Sequence, residues 1–254
     1  MSFALKKIIA CVSFFMTLGY LFAEYDKTLV SWVILDDKKV KAGSVLTIQE
    51  GIEFDGIVFA EKMDDKWMAG SHNWARTEKN QSQNPIESTD DDSLIQLAIV
   101  YQEKQISIFR DGNLYSSYPA KNIDLLTSDN NFVVFGIRHI GGGGGISGMI
   151  EDARIYDRAL TVREIKELVP NKASEIKPYA WWDFEKDASE QTGRFSHYKL
   201  KIGARVEKGR LMLHRGATLI AARTEKLTRR GSQVHLLDEP ICAGKLPEMP
   251  DDIP

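Results

Sequence analysis

Three stretches carry residues whose types and spacing could do chemistry. Glu53-Phe-Asp55 opens a run that reaches Glu61, and acids two apart on a strand point to one face. A carboxyl pair ~5–5.5 Å apart would serve as nucleophile and acid/base in retaining glycoside hydrolysis. Val58, however, stands where a third acid is needed, and Glu61 arrives three residues late. Ile57 and Phe59 share the face of these acids, so an apolar strand with acidic ends is the simpler account. No catalytic residue is assigned. The second stretch places Trp67, His72, Trp74 and Arg76 among polar neighbours. Sugar rings stack their C–H faces on aromatic side chains, and planar polar groups fix their hydroxyls. Trp67 beside Met68 reads as core, whereas Trp74 could serve a core or a pocket. In the third stretch Arg138-His139 leads into Gly141–Gly145. Five glycines bring backbone close to a ligand, but Gly-Lys-Ser/Thr is missing and the run joins strand to strand. A flexible hairpin connection is expected there. The carbohydrate-binding candidates are thus His72, Trp74, Arg76, Arg138 and His139.

Metal ligation has little support. The five His are isolated from one another, without the His-Glu-x-x-His spacing of a zinc site. Asp90-Asp-Asp92 lacks the glycine turn and terminal glutamate of a calcium loop, so a solvated acidic loop is expected. No cofactor is assigned, and calcium is not supported by a recognisable motif.

The elements that must position these residues are strands. Leu29–Leu35, Ser44–Gln49, Ile52–Ala60, Leu94–Tyr101, Gln105–Arg110, Leu114–Tyr118, Phe132–Arg138 and Gly148–Tyr156 are short runs rich in β-branched and aromatic residues. Gln102–Lys104 reads as a hairpin loop and Asp111-Gly112-Asn113 as a turn. Strands at this spacing without alternating helices predict an all-β antiparallel sandwich over 24–169. One short helix is expected near 161–168, where Thr161-Val-Arg-Glu164 is a capping box and Pro170 a stop. Residues 170–177 read as a linker. Tyr179–Phe184 then opens a small additional β segment, 178–223, whose strands are too few to stand alone. That segment is expected to pack on the sandwich, with Trp181 or Trp182 buried at the junction. The tail 224–254 holds four of the eight prolines and is expected to be flexible.

Composition bounds the partners. The 254 residues are 43% apolar and 27% charged, with a formal charge of −3, which gives no basic footprint for nucleic acid. Two Cys make neither a disulfide framework nor a four-thiolate metal site. Residues 1–23 have Lys6-Lys7, an apolar run from Ile8 to Phe22 and Ala23, the layout of a secretory signal peptide. The run is shorter than the ~20 residues that span a bilayer. A secreted or extracytoplasmic location, in the periplasm or at the cell surface, is expected, with no stable membrane span after cleavage; an uncleaved anchor is the alternative.

Gly148-Met-Ile-Glu-Asp-Ala-Arg-Ile-Tyr-Asp-Arg-Ala-Leu-Thr-Val-Arg-Glu-Ile165 resembles the closing strand and helix of a laminin-G-like, concanavalin A-like jelly roll. In that reading Thr161 starts a helix packed across the sheet edge. Glu61–His72, Phe135-Gly-Ile-Arg-His139, Ala180–Glu185 and Thr192–Phe195 further resemble the lectin-like N-terminal region of secreted bacterial glycoside hydrolases of family 32. The resemblance covers roughly residues 29–223. In that family such a region precedes a catalytic propeller, whose Asn-Asp-Pro-Asn-Gly, Arg-Asp-Pro and Glu-Cys motifs do not occur here. The resemblance therefore implies a non-catalytic module binding carbohydrate, a fructan or another polysaccharide, or positioning a partner hydrolase module. A purely structural spacer, and a truncated fragment of a fructan-active hydrolase, are the alternatives. Many laminin-G-like domains bind calcium through loop carboxylates, but no position here maps onto them.

Overall fold

The β-branched and aromatic runs all become strands, and most are buried on both faces. The computed structural model describes residues 26–89, 92–121, 125–126 and 128–223. The expected signal peptide 1–23, the tail 224–254 and two members of the acidic loop, Asp90 and Asp91, lie outside the described residues. The chain forms β1 (Lys27–Leu35), β2 (Gly43–Glu50), β3 (Glu53–Phe59), β4 (Trp67–Ser71), β5 (Ile95–Gln102), β6 (Gln105–Arg110), β7 (Asn113–Pro119), β8 (Phe132–Phe135) and β9 (Gly148–Tyr156). Helix α1 (Val162–Glu167) follows, and then β10 (Ala180–Trp182), β11 (His197–Lys201), β12 (Arg205–Glu207), β13 (Arg210–Leu213) and β14 (Thr218–Ala222). A 3-10 turn occupies His72–Trp74.

The strands make two antiparallel sheets, as expected. One has the order β12-β13-β9-β1-β5-β6-β7, with β10 also paired to β9; the other is β11-β14-β8-β2-β3-β4. Residues 180–222 do more than lie on a finished sandwich. β13 pairs with Gly148–Ile150 and β10 with Ala153–Ile155 of β9, while β14 pairs with β8. The segment thus adds strands to both sheets, at edges that would otherwise present unpaired backbone groups. Trp182 is fully buried between the sheets, with Phe135 at 5.3 Å and Phe195 at 5.7 Å between ring centroids.

The capping box forms as expected. The Glu164 amide donates to Thr161 Oγ1 at 3.3 Å, and the Thr161 amide donates to Glu164 Oε2 at 2.7 Å. The helix does not cross the sheet edge, however. Ile165 and Leu168 lie on the outer face of the first sheet, in a second apolar cluster with Val30, Trp32, Ala98, Val100 and Phe109. Its apolar stripe needs a broad apolar surface, and the outward side chains of β1, β5 and β6 supply one. Residues 170–177 are likewise held to this face. The Asn171 amide donates to Asp152 Oδ2 at 2.7 Å, and Arg154 donates to the carbonyls of Val169 and Lys172, each at 2.9 Å. Arg154 is itself flanked by the Trp32 and Trp181 rings, 5.3 and 5.0 Å from its guanidinium carbon.

The glycine run is not a hairpin. It joins β8 of one sheet to β9 of the other, a crossover that the sequence could not distinguish because strand order is a tertiary property. Its far end is pinned, since the Gly145 amide donates to the Lys41 carbonyl at 3.1 Å. Gly144 has φ +89°, and a Cβ there would lie 2.3 Å from the same Lys41 oxygen.

Residues 75–89 close the side of the sandwich between β4 and β7. Glu87 is the fastening: its carboxylate accepts from Trp67 Nε1 at 2.9 Å and from Arg110 Nε at 2.8 Å. The Tyr115 hydroxyl donates to the Pro85 carbonyl at 2.6 Å, and Ser116 to Glu78 at 2.7 Å.

Three outcomes are expected. Burial alone would raise the Glu87 pKa, but hydrogen bonds from Arg110, Thr89 and Trp67 outweigh it and hold the group at about 2, against 4.5. A depressed folded-state pKa contributes stability above the unfolded value that is lost as pH falls, here about 3 kcal/mol between pH 4.5 and 2. Urea titrations should show Glu87→Gln less stable than the parent at pH 7, with the gap closing toward pH 2. A gap that persists unchanged at low pH would refute the linkage. Secondly, Trp182→Ala should cost about 3–5 kcal/mol by cavity formation. A chain ending at Asn171 should lose its cooperative thermal transition or aggregate. Retention of the full-length midpoint by that chain would mean that the late strands are dispensable.

Candidate functional site

The outer face of the second sheet brings together residues far apart in sequence. Strand register aligns Ala222, Phe132, Gln49 and Phe54 in one row across β14, β8, β2 and β3. In the next row Thr47 lies opposite Gly56, and Gly56 opposite Gly70. These glycines leave no bulk over the sheet: a Cβ on Gly56 would lie 2.3 Å from Thr47 Oγ1, and one on Gly70 2.4 Å from Val58 Cγ2. The loop after β8 lies across this face. Thr47 Oγ1 donates to the Arg138 carbonyl at 2.9 Å, and the Ile140 amide donates to Gln49 Oε1 at 2.9 Å. His139 is set against Phe54, centroids 4.8 Å apart and planes at 32°.

The result is an open pocket of about 300 Å³ lined by Gln49, Gly51, Ile52, His72, Phe132, His139 and Ile140. Its polar atoms can be assigned. Gln49 is used internally, since its amide also donates to the Gly51 carbonyl at 2.8 Å. A carbonyl only accepts, so the 2.8 Å contact of His139 Nδ1 with the Ile140 oxygen puts the proton on Nδ1 and leaves the Nε2 lone pair. Burial, helped by the nearby Arg138 and His72, lowers the His139 pKa, against the opposing effect of the Ile140 hydrogen bond. The ring is therefore neutral at pH 7. For His72 the partner is the Asn73 amide, which donates to Nε2 at 3.0 Å, so this imidazole keeps its proton at Nδ1.

His72 stands on a strained turn. Asn73 and Trp74 both take left-handed backbone, φ +49° and +52°, which is costly for a bulky aromatic residue. Hydrogen bonds over-determine the turn: the Ala75 amide to the His72 carbonyl at 3.0 Å, the Thr77 amide to the Trp74 carbonyl at 3.2 Å, and the Arg76 amide to Ser71 Oγ at 2.9 Å. The strain displays Trp74, which is 52% exposed.

Of the five candidates, His72 and His139 meet in the pocket, and Trp74 stands on the His72 turn. Arg76 and Arg138 do not line it. The Arg76 side chain is 1% exposed, donating from Nε to Asp55 Oδ1 at 2.7 Å, from Nη1 to Glu53 at 3.2 Å and from Nη2 to the Phe54 carbonyl at 2.8 Å. Burial in this ion pair removes it from any ligand. Arg138 is bound to Glu61, and its burial lowers the guanidinium pKa. The acids of the 53–61 run are thereby accounted for as well, because Asp55 also faces Lys27 at 3.1 Å in the interior. Gln49, Ile52, Phe132 and Ile140 were not foreseen. Ile52 reads in the sequence as the first residue of a strand, whereas it stands in the turn before β3, 69% exposed.

Residues 17–166 match the family model Laminin_G_3, described as the concanavalin A-like lectin/glucanases superfamily, and the chain belongs to that family. The solved structures it resembles include a "putative carbohydrate binding protein" from Bacteroides ovatus ATCC 8483, at 10% identity and TM-score 0.50 over 79% of this chain. The chain spans 55% of the length of that protein. Domain 4 of AbnA, a GH43 extracellular arabinanase from Geobacillus stearothermophilus solved with arabinotriose, matches at 16% identity and TM-score 0.46, over 58% of this chain and 68% of that one. The SAP-like pentraxin of Limulus polyphemus matches at 16% identity and TM-score 0.42, over 61% and 76%. These likenesses are of fold. No curated protein matches the sequence.

Because Arg76 balances a buried carboxylate, Arg76→Ala should destabilise the fold by about 3–5 kcal/mol. It should also release the Trp74 turn. Denaturant titration with Trp fluorescence reads both effects, and an unchanged midpoint would show that Arg76 is not the anchor.

Proposed function

We propose that this chain is a secreted, non-catalytic carbohydrate-binding module that works beside a glycoside hydrolase. The observation that carries the reading is the pocket on the outer face of the second sheet. Its apolar walls, Ile52, Phe132 and Ile140, face two imidazoles that offer an acceptor at His139 and a donor at His72. A sugar hydroxyl both donates and accepts, and a sugar C–H face is apolar, so one ring matches both kinds of surface. Trp74 adds an exposed indole on the turn that carries His72, suited to stacking a neighbouring sugar. The names of the Bacteroides protein and the arabinanase domain are consistent with this use of the fold. The non-catalytic reading rests on Asp55, Glu53 and Glu61, each held in an ion pair. The resemblance to the family 32 hydrolases places the furanose polymers levan and inulin on the test panel beside pyranose glycans.

The test is a glycan panel that includes levan, inulin, arabinan and β-glucans, read by affinity electrophoresis and by sugar release. Binding without release of sugar is expected. Trp74→Ala should weaken binding about tenfold, the loss of ~1.4 kcal/mol that a stacking contact supplies. His139→Phe, which keeps the ring contact with Phe54 and removes the lone pair, should weaken it similarly. If no glycan on the panel binds, the chain is a structural spacer and the reading is wrong.

A further inference from the structure

The geometry points to a neutral pyranose, with an apolar C6 edge, as the sugar this pocket selects over its uronate counterpart. The inference rests on the carbohydrate-binding reading above and deepens it. None of the seven lining residues is Lys, Arg, Asp or Glu. The cations nearest in sequence are already committed: Arg76 to Asp55 and Glu53, and Arg138 to Glu61. The acids that flank the Gly51–Ile52 turn, Glu50 and Glu53, are paired with each other in register and fall on the opposite side of their strands from Gln49 and Phe54. Glu50 accepts from Ser128 at 2.5 Å, and Glu53 is paired with Arg76 yet still 37% exposed. A carboxylate brought into this pocket would lose water and meet no Lys or Arg among the lining residues, and such burial of an unpaired charge is unfavourable.

The remaining polar groups argue for the same choice. His139 Nε2 and His72 Nδ1–H can satisfy ring hydroxyls, one accepting and one donating. The amide of Gln49 is closed off by Ile140 and Gly51, so it adds no further polar contact. What remains is Ile52, Phe132 and Ile140, a wall that a methyl or methylene group fits and a charged or unpaired polar group does not. A pyranose held by ring hydroxyls on the imidazole side turns its exocyclic carbon to this wall. Affinity should then fall in the order methyl, hydroxymethyl, carboxylate at C6.

The experiment holds the ring constant and varies C6. Methyl glycosides of 6-deoxy-D-glucose, D-glucose and D-glucuronate, with the matching D-galactose set, are titrated into the secreted protein and followed by ligand-observed NMR. The 6-deoxy sugar should bind about tenfold more tightly than the hexose, and the uronate at least about a hundredfold more weakly than the 6-deoxy sugar. Ile52→Lys, a change at an exposed position that leaves the core intact, should narrow or invert the gap between uronate and 6-deoxy sugar. Equal or tighter binding of the uronates by the parent protein overturns the inference. So does a gap left unmoved by Ile52→Lys, or the absence of binding by every member of both sets. A panel that still binds glycans in those cases leaves the carbohydrate-binding reading standing, whereas a blank panel removes both.

Discussion

One buried carboxylate ties the sandwich to the site. Asp55 points inward from β3, meets Lys27 of β1 across the core at 3.1 Å and Arg76 at 2.7 Å. The three groups are essentially without solvent exposure, so each carries a desolvation cost of several kcal/mol. Redundancy offsets it: two cations share one anion, Arg76 also donates to Glu53 and the Phe54 carbonyl, and Lys27 lies 4.6 Å from the centre of the Tyr101 ring. What such a cluster fixes above all is register. A slip of β3 by one residue would send Asp55 to the outer face and strand two buried cations, a penalty no apolar rearrangement would relieve. Phe54 is consequently placed outward, where His139 packs on it, and the His72–Trp74 turn is held where Arg76 is anchored. The pocket inherits its geometry from this ion pair.

A second constraint is closure of the sheets. The family match ends at residue 166, yet β9 and β8 leave edges that β13, β10 and β14 fill. Phe184, Phe195, Leu211, Leu213 and Leu219 then join the same inter-sheet core as Leu29 and Val133. The inter-sheet apolar cluster is therefore continuous across residues 29–221, and the late strands are part of what keeps the second sheet rigid beneath Phe132. Phe132 itself sits on β8 between β2 and β14, so the pocket floor depends on the strand that comes last.

Much of this was legible in the residues, for identifiable reasons. Strand identity follows from local side-chain chemistry, and the hairpin turn at Asp111-Gly112 follows from two left-handed positions, φ +49° and +67°. The helix was marked by the Thr161–Glu164 capping box, with Pro170 as its stop. Partner choice was not legible. The glycine run reads the same whether it joins neighbours in one sheet or crosses between two. Arg76 is a plausible sugar ligand by type and spacing, and nothing local reveals that Asp55 lies beneath it. The pocket was half visible: His72 and His139 stood out, but Gln49, Ile52, Phe132 and Ile140 converge only through register across β2, β3 and β8. Ordinary apolar residues become the walls of a pocket through where the sheet places them.

The strain at Asn73 and Trp74 links these levels. Left-handed backbone at two successive residues without glycine is costly, and Trp74 gains little packing in return, being half exposed. A turn free to relax would fold that indole against the sheet, where apolar burial favours it. It cannot do so while Arg76, two residues on, is locked to Asp55, Glu53 and the Phe54 carbonyl, with Thr77 bonded to the Ala69 carbonyl at 2.6 Å. Energy from the buried charge cluster thus holds an aromatic ring in water beside the His72 imidazole. An exposed, pre-positioned indole loses little further freedom when a flat apolar face stacks on it, which is the condition under which a shallow pocket can bind a ligand of few atoms.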